Sequence, residues 1–139
     1  EWDWLAKESQ ATLLKGRFSI ATESNRTGYR LNGEALNCSR EEQLLSGGVT
    51  FGTMQLPPSG HPIVLMADHP VTGGYPRIAQ VIAADLPLLA QQGPLADLGF
   101  ELTTQVEAEL LYITMDRELR QLGEACRVRM DQWLPGQSI

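Results

Sequence analysis

Short apolar runs separated by turn residues fill the chain as far as Thr104, and a helical periodicity takes over beyond it. Trp4, Leu5, Leu13 and Leu14 lie among polar residues and predict a short amino-terminal helix ended by Lys15-Gly16. Trp2 and Trp4 are expected to pack onto the adjoining sheet or barrel. Phe18 and Ile20 alternate with polar neighbours, and Tyr29-Arg30-Leu31 resumes the pattern after Glu23 to Gly28. The two segments predict a hairpin with a polar tip, Gly28 taking positive φ and Asn32-Gly33 making a tight turn. Ser39-Arg40-Glu41-Glu42 opens with an N-cap residue followed three positions later by Glu, announcing one or two helical turns. Val49 to Leu56 predicts a strand, closed by the stiff turn Pro57-Pro58-Ser59-Gly60. Ile63-Val64-Leu65-Met66 and Ile78 to Ala84 read as two buried core strands. Asp85-Leu86-Pro87 caps a single helical turn that Gly93-Pro94 ends. Phe100 to Thr103 predicts a closing strand, with Thr103 or Thr104 capping the helix after it.

That helix is expected over residues 106–132. Ala108, Tyr112, Met115, Leu119, Leu122 and Cys126 recur at alternating intervals of four and three and form an apolar stripe, read as core or interface contact. Trp133-Leu134-Pro135-Gly136 ends it, and the tail beyond is expected to fray. A row of short strands spaced by Gly, Pro and Asn favours an all-β barrel or sandwich over a layered α/β fold.

The polar residues concentrate between the two core strands. Ala67 to Arg77 holds two prolines, two adjacent glycines, an acid, a base, an imidazole, a hydroxyl and a phenol in eleven residues. Gly73-Gly74 allows close approach of backbone, and Pro70 and Pro76 stiffen the segment on either side. Such a loop is a candidate site; the plain alternative is an ordinary wide turn. A second polar cluster is Ser24-Asn25-Arg26. If the clusters converge at one end of a barrel, Arg26 and Arg77 offer planar charged forks for a carboxylate or ureido carbonyl, and the Gly73 and Gly74 amides add an anion nest. Asp68 would then accept a proton or orient a nitrogen, Tyr75 would donate to an oxyanion, and Gln55 would supply donor and acceptor. Alternatively, Asp68 pairs with Arg77 or Arg26 and merely pins loops.

With 139 residues the chain is long enough for one domain with its own core, and its net charge of −6 argues against general nucleic-acid binding. No apolar segment approaches bilayer length and no signal-peptide pattern occurs. Cys38 and Cys126 are expected to stay reduced, and His61 and His69 lack partners at metal-ligand spacing, so no metal site is assigned. No Gly-Lys-Ser/Thr phosphate loop or Gly-x-Ser-x-Gly elbow is present. The start at Glu1, without Met, reads as the interior of a longer polypeptide.

The segments Gly48 to Asp68 and Thr72-Gly73-Gly74-Tyr75-Pro76-Arg77-Ile78 resemble the KipA family, also called allophanate hydrolase subunit 2 or the C subunit of 5-oxoprolinase. Ser24 to Leu31 fits its upstream motif, and Ala84-Asp85-Leu86 with Leu89-Ala90-Gln91 its downstream one. His61 and Val71 depart from it, and residues 106–139 match only in being helical. The resemblance covers roughly residues 17–105 and extends to the second half of the carboxyltransferase region of urea amidolyase. It implies a mainly β, cyclophilin-like β-barrel with a short N-terminal and a long C-terminal helix, within one carboxyltransferase domain over residues 1–139, and an amino-terminal half outside this chain. It also implies a cytoplasmic KipI-like sister subunit (the B subunit of 5-oxoprolinase) and a partner like the A subunit of 5-oxoprolinase. The complex would open 5-oxoproline to glutamate with ATP, or carry a carboxyl group from partner-presented carboxybiotin to urea or a related amide. One branch of the family instead acts as a binding module that antagonises a KipI-like kinase inhibitor.

The site expected on these motif positions comprises Asp68, Tyr75 and Arg77 as catalytic groups, with Ser24, Arg26, Gln55, Thr72, Gly73 and Gly74 binding a small-molecule substrate. No cofactor is assigned to this chain directly. The 139 residues alone are expected to be inactive, and the apolar face left by a missing half makes a homo-oligomer plausible.

Overall fold

Phe18, Ile20 and Leu31 each project an apolar side chain to one face of a pleated pair, and all three are at most 2 % exposed. The computed structural model, which describes residues 1–40 and 44–133, builds outward from that pair. Strand β1 (Phe18–Ile20) pairs antiparallel with β2 (Gly28–Asn32), Ile20 opposite Leu31. β3 is Gly47–Gly48, β4 Thr53–Gln55, β5 Ile63–Leu65, β6 Thr72–Gly73, β7 Arg77–Gln80 and β8 Asp97–Leu98. Six strands form an antiparallel sheet in the order β7-β4-β5-β2-β1-β8, and β3 with β6 makes a separate two-stranded ribbon. Met54, Val64 and Ile78 from the inner strands join the first three residues in the core, with Leu5 and Leu13 from the amino-terminal segment. A 3-10 turn at Trp2–Trp4 leads into α1 (Lys7–Lys15), which Gly16 ends, and Trp2 packs half-buried against the core as expected. α2 is Leu86–Ala90, following Asp85; the expected turn forms, with the Leu89 N–H donating to the Asp85 carbonyl at 2.9 Å, but the Asp85 side chain makes no capping hydrogen bond.

Two compact units divide at Leu102: Glu1–Leu102 holds the sheet, and Thr103–Ile139 holds α3 (Gln105–Trp133). The α3 start is a capping box. Thr104 Oγ1 accepts from the Glu107 N–H at 3.2 Å, and the Glu107 carboxylate accepts from the Thr104 N–H at 3.0 Å. These bonds hold the Glu107 carboxyl below its ordinary range. The helix spans about 43 Å, and no described helix is long and apolar enough to cross a membrane.

As expected, the fold is mainly β with a long C-terminal helix; among the described residues the six-stranded ladder runs from β7 to β8 and no closed barrel is found. Several other expectations need correction. Gly28 does not take positive φ. A Cβ there would sit 2.9 Å from Ile63 Cγ2, so the glycine admits a neighbouring strand instead. Asn32-Gly33 makes no hairpin, because β2 pairs onward with β5; a Cβ at Gly33 would lie 2.6 Å from the Phe18 ring. Positive φ occurs at Gly52 and at Gly60 in the Pro57–Gly60 turn. The Val49 to Leu56 strand is confined to β4, and the edge of the sheet is completed by Asp97–Leu98, not by Phe100 to Thr103. The Ser39–Glu42 helix and the helix stop at Leu134-Pro135-Gly136, with the frayed tail, lie wholly or partly outside the described residues. On α3, Leu119 and Leu122 are exposed, so they are not core; interface contact is the other half of that expectation.

Candidate functional site

The decisive correction concerns how the two core strands are joined. β4 pairs antiparallel with both β5 and β7, so β5 and β7 are parallel and not neighbours. Residues 66–76 are therefore a crossover from one end of the sheet to the other, not a wide turn at a single rim. Asp68 follows the far end of β5, whereas Arg77 begins β7 at the opposite end, level with Gln55 and Ile63. Arg26, in the β1–β2 connection, stays with Asp68. The two arginines thus belong to different ends of the sheet and to strands roughly 14 Å apart laterally.

At the first end, Arg26 and Asp68 form a two-pronged pair, Nε to Oδ2 at 2.7 Å and Nη2 to Oδ1 at 3.0 Å. The Asp68 N–H also donates to the Arg26 carbonyl at 2.8 Å. Both side chains are exposed, and the Arg26 hydrogen bonds hold the Asp68 carboxyl below its usual range. Ser24 serves the hairpin: its Oγ accepts from the Arg30 N–H at 3.0 Å and donates to the Arg30 carbonyl at 3.3 Å. These contacts match the loop-pinning alternative for Asp68.

At the other end, Gln55, Gly73, Tyr75 and Arg77 do come together. Gln55 is 5 % exposed and its Nε2 donates to the Tyr75 carbonyl at 3.3 Å. The ribbon of β3 and β6 lies against this group because both strands carry glycine: Gly47 is opposite Gly73, and Gly48 opposite Thr72. A Cβ on Gly73 would meet the Gln55 amide, 3.1 Å from its Cδ, and one on Gly47 would lie 3.2 Å from Arg77 Nη1. Arg77 Nη1 donates to the Gly48 carbonyl at 3.3 Å. Its Nε and Nη2 donate to the Glu1 carboxylate at 3.1 and 2.5 Å, and its backbone N–H does so at 2.7 Å. Hydrogen bonding to the Arg77 side chain lowers the Glu1 pKa, with burial opposing. Thr72, Gly74 and Tyr75 are exposed beside this cluster.

The arrangement holds a permanently charged planar donor, a buried amide and a glycine-rich backbone within one locality. Chemically it suits binding of a planar carbonyl or carboxylate group. Two participants escaped the sequence reading. Glu1 gave no pattern at all, whereas Gly47-Gly48 had a usable signal, a second adjacent glycine pair able to ribbon with Gly73-Gly74. The described residues contain no group of His, Cys, Asp and Glu able to hold a metal.

The class that the fold defines is a mainly antiparallel β domain, with an arginine and a buried amide beneath a glycine ribbon at one end of its sheet. The family model for the carboxyltransferase domain, subdomains A and B, matches residues 1–102, and the chain belongs to that family. It is 40% identical over 111 residues to the 5-oxoprolinase C subunit of Haemophilus influenzae, covering 80% of this chain and 36% of that protein. Against the 5-oxoprolinase C subunit of Escherichia coli it is 44% identical over 91 residues, covering 66% and 29% respectively. The chain thus spans about a third of the length of these curated relatives. The crystal structure of K. lactis urea amidolyase matches in fold with a TM-score of 0.78 at 21% identity, covering 84% of this chain and 8% of that one.

Proposed function

We propose that this chain is part of a protein like the 5-oxoprolinase C subunit, whose complex opens 5-oxoproline to glutamate with ATP, and that the Gln55–Arg77 end of the sheet binds the substrate. The observation that carries this is the register that sets Arg77 on β7 opposite Gln55 on β4, with Gly73 closing over the buried Gln55 amide and Gly47 over the Arg77 guanidinium, inside the residues that match the family model. 5-Oxoproline carries a carboxylate and a lactam carbonyl, the two planar acceptors that a guanidinium and a carboxamide recognise. Arg77 would hold the carboxylate by exchanging its Glu1 contacts for the substrate, and Gln55 would orient the lactam. Thr72 and Tyr75 flank the entry, with the Tyr75 hydroxyl available as a donor. Asp68 and Arg26 hold the other end of the crossover and act on its position.

The partners in this reading are a KipI-like B subunit and an A-type subunit, all cytoplasmic, and ATP is used by the complex. In the full-length protein the open sheet would close into a cyclophilin-like barrel. The same donors fit a ureido carbonyl, so carboxybiotin presented by a partner is the group Arg77 would hold if the reaction is carboxyl transfer to urea, biotin then supplying the carboxyl group. The urea amidolyase fold match favours keeping that second reading. Docking to antagonise a KipI-like kinase inhibitor is the non-catalytic alternative.

The test is co-expression of the full-length protein with its sister subunits, followed by 5-oxoproline-dependent and urea-dependent ATP turnover. Arg77→Ala and Gln55→Ala should abolish 5-oxoproline-dependent turnover with the complex intact, while Asp68→Asn should largely preserve it. Turnover surviving both of the first two changes would remove this end of the sheet as the site. Urea-dependent, avidin-sensitive turnover would select carboxyl transfer, and an intact complex with neither activity would select the docking role. The 139-residue chain alone should be inactive.

A further inference from the structure

We infer that α3 pairs with α3 of a second copy of this chain as an antiparallel two-helix coil. The argument rests on α3 alone and is independent of the reading of the sheet. Its apolar seam alternates four and three residues from Ala108 through Tyr112, Met115, Leu119, Leu122 and Cys126, and the same spacing continues to Arg129 and Trp133. Most of it is bare: Leu119 is 59% exposed, Leu122 61% and Trp133 83%. A second apolar row, Val106, Leu110 and Ile113, stops at Arg117, so it cannot serve the whole length.

Sizes and charges along the seam choose both partner and direction. When Leu119 of one copy faces Leu122 of the other, the remaining layers follow by antiparallel register. Met115 then faces Cys126, and Ala108 faces Trp133, each a large residue against a small one. Tyr112 faces Arg129, whose guanidinium reaches toward Glu109 and Asp116 on the opposite helix, three residues before and four after Tyr112, where it would share Asp116 with Arg120 (2.7 Å) and Glu109 with Gln105 (2.8 Å) of that helix. The flanking acids otherwise meet neutral residues: Glu109 lies across from Met130, Asp116 from Gly123, and Glu118 from Ala125. Parallel pairing would instead place Arg129 against Arg129 in the seam, a like-charge contact without a nearby acid. Gly123 has nothing within 4 Å of where a Cβ would be. It is an unfavourable residue in mid-helix by about 1 kcal/mol relative to Ala, and beside the seam it lets the second backbone approach.

The experiment is sedimentation equilibrium of the full chain, alongside oxidative cross-linking in a Cys38→Ser background. The chain should be dimeric at micromolar concentration, and Leu122→Asp should weaken the dimer by about tenfold or more while far-ultraviolet circular dichroism keeps the sheet signal. Arg129→Glu should weaken it similarly, and adding Glu109→Arg with Asp116→Arg should restore it, which general helix disruption would not do. With Met115→Cys, oxidation should join position 115 to Cys126 of the other copy. A monomer at every concentration, a dimer indifferent to Leu122→Asp, failure of the charge reversal to rescue, or 115-to-115 and 126-to-126 links would each overturn the inference.

Discussion

Gly73 and Gly74 are neighbours in sequence and should respond very differently to the same methyl group. A Cβ on Gly74 would lie 3.5 Å from Ser46 Oγ, ordinary contact, so Gly74→Ala should change stability by less than about 0.5 kcal/mol. On Gly73 the methyl would fall inside 3.0 Å of Gln55 Nε2 and 3.1 Å from its Cδ and Oε1. The Gln55 amide must then move, yet it is buried and donates to the Tyr75 carbonyl. Losing that bond while the amide stays buried costs about 1–3 kcal/mol, and this is the expected penalty for Gly73→Ala. For a unit of this size each kcal/mol lowers the melting temperature by about 4 °C or somewhat more. Urea or thermal unfolding of the two variants side by side measures the contrast. The double variant Gly73→Ala with Gln55→Ala supplies the control: shortening Gln55 makes room, so the two penalties should combine to less than their sum. Equal stability of the two alanine variants, or strict additivity in the double variant, would refute the close approach of ribbon to amide.

Two further outcomes follow from the same structure. Gly33→Ala should destabilise by about 1–3 kcal/mol in chemical denaturation, since its methyl would strike the fully buried Phe18 ring, with the Arg17 carbonyl at 3.2 Å behind it; the Asn32-Gly33 turn it was expected to make plays no part. The Arg26–Asp68 pair should show in the pH dependence of stability. The Asp68 carboxyl is depressed in the folded chain, so its contribution is present above the ordinary value of 3.8 and is lost as pH falls through the lower folded value. Asp68→Asn should therefore fall below the parent chain in unfolding assays at neutral pH, and the gap should narrow under acid conditions. Because the pair is exposed, the difference should also shrink at high salt.

Much of the chain's local structure was legible before any coordinates. The β1–β2 hairpin, the core run at Ile63, the Pro57–Gly60 turn, the Asp85 turn and the Thr104 cap all rest on interactions within a few residues of each other. Side-chain alternation, proline geometry and capping chemistry are local properties, so residue order alone determines them, and it also carried the family motifs. The site residues were legible as a set of motif positions, but their grouping was not.

Which strand lies beside which was a tertiary decision. The runs at Ile63 and Ile78 look like two core strands joined by a wide turn, yet β4 inserts between them because its Thr53, Met54 and Gln55 are buried and its two edges find partners on both sides. That insertion makes 66–76 a crossover, sends Asp68 and Arg77 to opposite ends, and leaves Arg77 free to meet Glu1 from the start of the chain. Pairing across long sequence separations depends on which edges remain unsatisfied once the core has formed, and no local pattern encodes that. What the amino-acid order determined here is therefore the elements and the chemistry they carry; which of those groups share a site was settled by the order of strands in the sheet.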